Sequence, residues 1–214
     1  MTILALDFSS PQRSVAIARD GIVLSEASEF GGRNTAAFGM VGKILAEAKI
    51  EREEIEVIAV GLGPGSYTGV RAAIALAQGW QLARETKLLG VSSVAAIAAQ
   101  ARVEKIFGRV NVLIDAQRNE FYLAAWQISA SGCVEIEPLK IVPPAEIELR
   151  AEANDILIGP EAPRWFPGGI NLFPRAAMLA KLAIGRNDFL PGEKLEPVYL
   201  RETSFVKAPA SRIF

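Results

Sequence analysis

The sequence predicts an α/β fold of two duplicated lobes, each a mixed β-sheet with flanking helices, and three observations predict it. An apolar strand ending in an acid occurs twice, as TILALDF at 2–8 and as VNVLID at 110–115. Two further strand patterns follow each one around a polar turn, Asp20-Gly21 in the first half and Ser131-Gly132 in the second. A buried strand then meets a Gly-Pro turn in both halves: 57–60 runs into Gly61-Leu62-Gly63-Pro64-Gly65, and 156–158 runs into Gly159-Pro160. Landmarks matched in kind and order imply an internal duplication. The lobe boundary falls near Gly108, so that residues 1–108 form the first lobe and 109–189 the second, with the tail 190–214 packing back on the first.

The remaining elements follow in chain order. Strands at 14–19 and on to about residue 29 complete the first meander, and 120–127 and 134–142 complete the second. Between them lie three helices. The first spans 34–49, with Asn34 or Thr35 as cap and Ala37, Phe38, Val41, Ile44, Leu45 and Ala48 as one stripe. The second spans 69–84 and the third 92–104, and the tail returns through Pro197-Val198-Tyr199-Leu200-Arg201.

Composition narrows the function. Half of the 214 residues are apolar and 22% are charged, the balance of a chain that folds around a core rather than of a disordered tail. A net charge of −1 does not favour a polyphosphate partner for the chain alone. The start, MTILALD, has no basic segment before its apolar stretch, and the longest uncharged runs, 57–70 and 88–101, fall short of the ~20 residues a membrane helix needs. Cys133 is the single cysteine, which fits a reducing compartment, and the cytoplasm is the expected location. There is no histidine. Imidazole-dependent nucleophile activation and His-ligated zinc or iron are therefore excluded, and no catalytic or metal-ligating set is expected within the chain.

Carboxylates, hydroxyls and backbone amides remain. The glycine-rich run Gly61 to Arg71 sits between a buried strand and a helix, where Gly63, Gly65, Ser66 and Thr68 could face an anion with the help of the helix dipole. Val70 stands where a Walker loop needs Lys. The other reading of the run is a tight turn capped by Ser66 or Thr68. Asp7 and Asp115 end the first strand of each half, so they are either paired ligands for a hydrated metal beside a nucleotide or turn acids bonding nearby amides. Together these residues give one function reading: a nucleotide-binding hydrolase or small kinase.

The helix at 69–84 supports a different one. Its apolar residues cover most of its circumference, leaving only Arg71, Gln78, Gln81 and Glu85 as a polar line. Such a helix is covered on both sides, by its own sheet and tail or by another molecule. Gly39 and Gly42 inside the first helix each cost ~1 kcal/mol relative to Ala and permit close helix contact. The residues expected at an interface are Phe38, Val41, Gly42, Leu45, Val70, Ala73, Ile74, Ala77 and Trp80.

The segments ILALDFSS, AVGLGPGSYTGVRAAIALAQGW, LLGVSSVAAIA, DAQRNEFY and PVYLR, in this order, resemble the bacterial TsaB (YeaZ) family over nearly the whole chain. The resemblance implies an actin-like ASKHA fold and a cytoplasmic role in making the threonylcarbamoyladenosine of tRNAs that read codons beginning with A. In that family the catalytic subunit is the paralogue TsaD, which holds iron or zinc through two histidines and transfers the threonylcarbamoyl group from its adenylate. A chain without histidine resembles the non-catalytic subunit. By the same resemblance it pairs with TsaD through the helices at 34–49 and 69–84, the ATPase TsaE docks on that pair, and the chain alone forms a homodimer through the same face. Contact with tRNA is made only through the complex. No cofactor is expected apart from ATP or ADP with magnesium at the shared interface. Two departures concern the cleft: Asp7-Phe8-Ser9 where the family usually has Asp-Thr-Ser, and Asn34-Thr35 where it often has His-Ser.

Overall fold

The first strand, β1 (Thr2–Asp7), is buried along its whole length because helices cover both faces of its sheet. The structure, a computed structural model, describes residues 1–31 and 37–201. Strands β2 (Gln12–Arg19) and β3 (Ile22–Phe30) pair antiparallel beside β1. Their turn places Asp20 and Gly21 at φ 50° and 86°, the paired positive values that a two-residue hairpin requires. Helix α1 (Ala37–Ala48) leads to β4 (Val57–Gly61), helix α2 (Tyr67–Arg84) and β5 (Lys87–Val91). The proposed caps Asn34 and Thr35 lie outside the described residues.

Helix α3 (Ser93–Val103) opens the way to the second sheet. There β6 (Gly108–Asp115), β7 (Phe121–Ile128) and β8 (Cys133–Val142) form the second meander, followed by α4 (Pro144–Glu152), β9 (Ile156–Gly159), α5 (Ala162–Trp165), β10 (Ile170–Asn171) and α6 (Ala176–Ala183). The two five-stranded sheets have orders β3-β2-β1-β4-β5 and β8-β7-β6-β9-β10, the same connectivity twice. In each, the central strand is antiparallel to its hairpin partner and parallel to the next strand, with Ile3 opposite Val57 in one and Val110 opposite Ile156 in the other. This is a duplicated α/β architecture.

Alternation along β1 sorts the layers. Leu4 and Leu6 face α1 and α2, together with Val15, Ile17, Ile58 and Val60. Ile3 and Ala5 face α6, with the small residues Ala16, Ala18 and Ala59 letting that alanine-rich helix approach. The span 109–189 is therefore not a lobe closed on itself, because α6 packs on the first sheet. Conversely, Val94, Ile97, Ala98 and Ala101 of α3 cover Val110, Val112 and Ala124 of the second. The two helices also touch each other, so the halves interlock through a shared helical layer. Among the described residues no helix is long and apolar enough to cross a membrane.

On the outer side of the second sheet an ion network pins α4. Arg150 donates to Glu137 at 2.7 and 3.0 Å and to Asn111 at 2.9 Å, while Arg109 bonds Glu137 at 2.6 Å and Lys140 bonds Glu146 at 2.8 Å. The Arg150 guanidinium, aided by Lys140 and Arg109, holds the Glu137 carboxyl down at about 2. A depressed carboxyl contributes stability that is present above its unfolded value near 4.5 and is lost as pH falls toward about 2. Full linkage would be worth about 3 kcal/mol, which water at the partly exposed pair reduces. Arg150→Met is expected to cost about 1–2 kcal/mol at pH 7 and to remove much of the loss of stability between pH 4.5 and 2. Urea melts at stepped pH check it, and equal pH slopes in the two proteins would refute it.

Candidate functional site

Two regions gather the candidate residues: the cleft between the sheets and the outer face of α1 and α2. The cleft begins where β1 and β4 end. Ser66 caps α2, its hydroxyl accepting from the Gly69 amide at 3.2 Å, so Thr68 lies inside the helix and is not the cap. The turn before it is pressed onto the chain leaving β1. A Cβ on Gly65 would stand 2.0 Å from the Ser9 carbonyl oxygen, and one on Gly69 would stand 1.9 Å from that of Phe8. Gly63 and Gly65 also hold φ of 82° and 145°. Glycine is needed at these points to let two backbones meet.

The turn spends its polar groups internally. The Ser66 amide donates to the Ser9 carbonyl at 2.7 Å, the Gly63 amide to the Ser93 hydroxyl at 3.1 Å, and the Ser93 amide back to the Gly63 carbonyl at 3.1 Å. Asp7 joins this network. One carboxylate oxygen accepts from the Ser9 amide at 2.9 Å and the Ser9 hydroxyl at 2.7 Å, and the other accepts from Ser93 at 2.7 Å. The residue is 0% exposed, and burial raises its carboxyl above the ordinary value against the pull of the serine bonds. A Cβ on Gly61 would come within 2.2 Å of its oxygen. Asp7 therefore locks β1, β4 and α3 together under the cleft floor.

The cleft itself has a volume of about 560 Å³, with Ser9, Ser10, Arg13, Asp115, Tyr122 and Tyr199 among its lining. Asp115 accepts from the amide and the side chain of Gln117 at 2.7 and 2.9 Å, the turn-acid reading. The structure does not bring Asp7 and Asp115 to one site, because the first is wholly buried and held by Ser9 and Ser93 while the second lines the cleft wall. The hydrolase or kinase reading loses its paired carboxylates.

The outer helices present a different surface. Of the residues expected at an interface, Val41, Leu45, Val70, Ala73, Ile74 and Ala77 are instead core residues on the first sheet. The outward line of α2 is Ala72, Ala75, Gly79, Leu82 and Ala83, all exposed, with Leu82 at 89%. Phe38 is 76% exposed on α1. Between the helices runs a groove of about 480 Å³, lined by Phe38, Ala75, Leu76, Gly79, Trp80 and Ala83, among others, with Arg52 and Arg84 also on its wall. Trp80 is partly buried here, and its indole nitrogen has no hydrogen-bond partner among the described residues. A Cβ on Gly42 or Gly79 would meet nothing within 4 Å. The close helix contact that Gly42 was expected to allow is not made among the described residues.

Both lines of α2 follow helical spacing, so periodicity could not choose between them. The signal that could have done so is bulk in the first half of the helix, where Val70 and Ile74 mark the inward line against Ala72 and Ala75 on the outward one.

The family model described as TsaD, tRNA N6-adenosine threonylcarbamoyltransferase, matches residues 11–138 of the chain. The TsaB protein of Escherichia coli (strain K12), described as a tRNA threonylcarbamoyladenosine biosynthesis protein, is 35% identical over 148 residues, which is 69% of this chain. The chain belongs to the TsaB (YeaZ) family. The matches cover less than two thirds of the curated relatives' own length, 64% for the Escherichia coli protein and 60% for the Bacillus subtilis TsaB protein, which is 29% identical over 140 residues. Among solved structures, YeaZ from Pseudomonas aeruginosa has a TM-score of 0.78 at 30% identity, covering 93% of this chain and 99% of that one. A second Pseudomonas aeruginosa structure, described as an uncharacterized protein with similarity to peptidase YEAZ, has a TM-score of 0.80 at 31% identity, covering 94% and 99%. In this TsaB family member a His-ligated peptidase metal has no ligands, since the chain has no histidine. Its GPGSYTGVR block serves the closure of α2 onto β1, in which Gly65, Ser66 and Gly69 are engaged.

Proposed function

We propose that this chain is a non-catalytic subunit in the threonylcarbamoyladenosine modification of tRNA, and that it binds a TsaD-type catalytic paralogue through the outward face of α1 and α2. The observation that carries this reading is the apolar groove between those helices, which no described residue covers, with Phe38 and Leu82 largely exposed to a partner. Burying each of these two side chains would contribute about 1.5–3 kcal/mol. The names of the relatives supply the pathway, and the separate engagement of Asp7 and Asp115 supports a supporting rather than a catalytic part. On this reading a TsaE-type ATPase docks on the pair and tRNA is met only through the complex. The same face pairs two copies when the chain is alone. ATP or ADP with magnesium belongs to the shared interface, and the work is done in the cytoplasm.

The test is threonylcarbamoyl transfer to tRNA by purified TsaD and TsaE from the same organism, supplied with the threonylcarbamoyl adenylate, with and without this chain. Transfer that requires the chain, while the chain alone transfers nothing, is the expected result. Transfer unchanged by its omission would refute the reading.

A further inference from the structure

We propose that residues 195–201 form a strap that ties the two lobes across the mouth of the cleft and sets how far that cleft opens. The segment starts anchored in the first lobe, where Leu195 is buried among Leu4, Ile58 and Leu88. Just before it, the Gly192 amide donates to Gln81 of α2 at 2.8 Å, and Gln78 of the same helix donates to the Gly192 carbonyl at 2.7 Å. The Val198 amide then donates to the Leu62 carbonyl at 2.9 Å, extending the hold onto the loop after β4.

At Tyr199 the strap reaches the cleft. Its ring lies 6.0 Å from that of Tyr67, and both residues line the cleft. The Arg71 guanidinium sits 3.4 Å from the Tyr67 ring centre and 5.1 Å from that of Tyr199, and it donates to the Tyr199 hydroxyl. A cation held between two aromatic faces fixes this stretch sideways as well as along the chain.

Two residues later the strap is attached to the other lobe. Arg201 donates to the Ala116 carbonyl at 3.2 Å and to the Glu120 carboxylate. These groups bracket the loop between β6 and β7, in which Gln117, Arg118 and Asn119 hold successive φ of 63°, 58° and 60°. Asp115 at its base lines the cleft. Seven residues thus run from the core under the first sheet to a loop of the second. The shared α3 and α6 layer is one connection between the lobes, and the strap is another, made at the cleft itself. Among the described residues its hold on the second lobe is Arg201, whose few bonds can break while the sheets stay folded. Local opening of that kind governs amide exchange.

The test is hydrogen exchange by mass spectrometry on the full chain, comparing wild type with Arg201→Glu, Val198→Pro and the swap of Arg201→Glu with Glu120→Arg. The first variant sets like charges against each other at one end, and the second removes the amide that bonds Leu62 at the other. Both single variants are expected to speed exchange about tenfold or more at 9–13 and 116–120, the two sides of the cleft, with β1 and β6 unchanged. The swap is expected to restore most of the protection at 116–120. Unchanged exchange in either single variant would overturn the proposal, as would equal acceleration in β1 and β6, which would mean general loss of stability. Failure of the swap to restore protection would overturn it too.

Discussion

Ala75→Glu is expected to leave the isolated chain folded and to abolish the proposed binding to a TsaD-type partner. Ala75 is exposed on the outward line of α2, so a glutamate there reaches water, and monomer stability should change by no more than about 0.5 kcal/mol. In the complex the same carboxylate would fill the groove and be stripped of water, a cost that an ion pair with Arg52 or Arg84 on the wall offsets only in part, and the loss should be about a hundredfold in affinity, or ~2.7 kcal/mol. Ala73→Glu, two residues away, has the opposite profile. Ala73 has no exposed surface and packs with Leu6, Ile58 and Ile74 beneath the helix. A charge there should cost about 3–5 kcal/mol or more, a large share of the ~5–15 kcal/mol that holds a domain together. Thermal melts and titration calorimetry on the two proteins check the pair. Wild-type affinity in Ala75→Glu would sink the docking face, whatever Ala73→Glu does.

Gly69→Ala is expected to be among the most damaging single-methyl additions in the chain. Its position is helical, where alanine is ordinarily favoured by ~1 kcal/mol, so propensity alone predicts a gain. The new methyl would instead stand 1.9 Å from the Phe8 carbonyl oxygen, a backbone atom that cannot swing away. Either α2 lifts off β1 or the loop after β1 moves, and in both cases the Asp7, Ser9 and Ser93 network is pulled apart. A loss of about 3 kcal/mol or more is expected. Gly79→Ala on the same helix meets no atom and should stabilise the isolated chain by about 0.5–1 kcal/mol. Urea unfolding of both variants tests the contrast. Equal effects would mean that the glycine block matters for something other than backbone contact.

Particular elements explain how far the sequence could be read. The duplication was legible because strand and turn chemistry is local: Asp20-Gly21 suits a two-residue hairpin, and the TILALD and VNVLID strands carry their burial in their composition. The cap at Ser66 was legible for the same reason, as one of two alternatives. The absence of histidine removed whole classes of chemistry without any structure. The candidate site was less legible. Asp7 ends a strand as Asp115 does, yet one is sealed beneath Ser9 and the other borders the cleft, a difference made by residues 86 positions away at Ser93 and by the missing Cβ of Gly61.

By itself, then, the sequence determined the repeated strand and turn landmarks, the family and the chemistry the chain cannot perform, because each depends on residue type and near-neighbour spacing. Only the tertiary structure decided which apolar line of α2 faces inward, because Val70, Ala73, Ile74 and Ala77 and the line through Ala72, Ala75 and Gly79 have the same period. It also decided that α3 and α6 cross to each other's sheets and that Arg201 reaches the second lobe. These are contacts between segments far apart in the chain, and helical or strand periodicity says which residues share a face without saying what that face will meet.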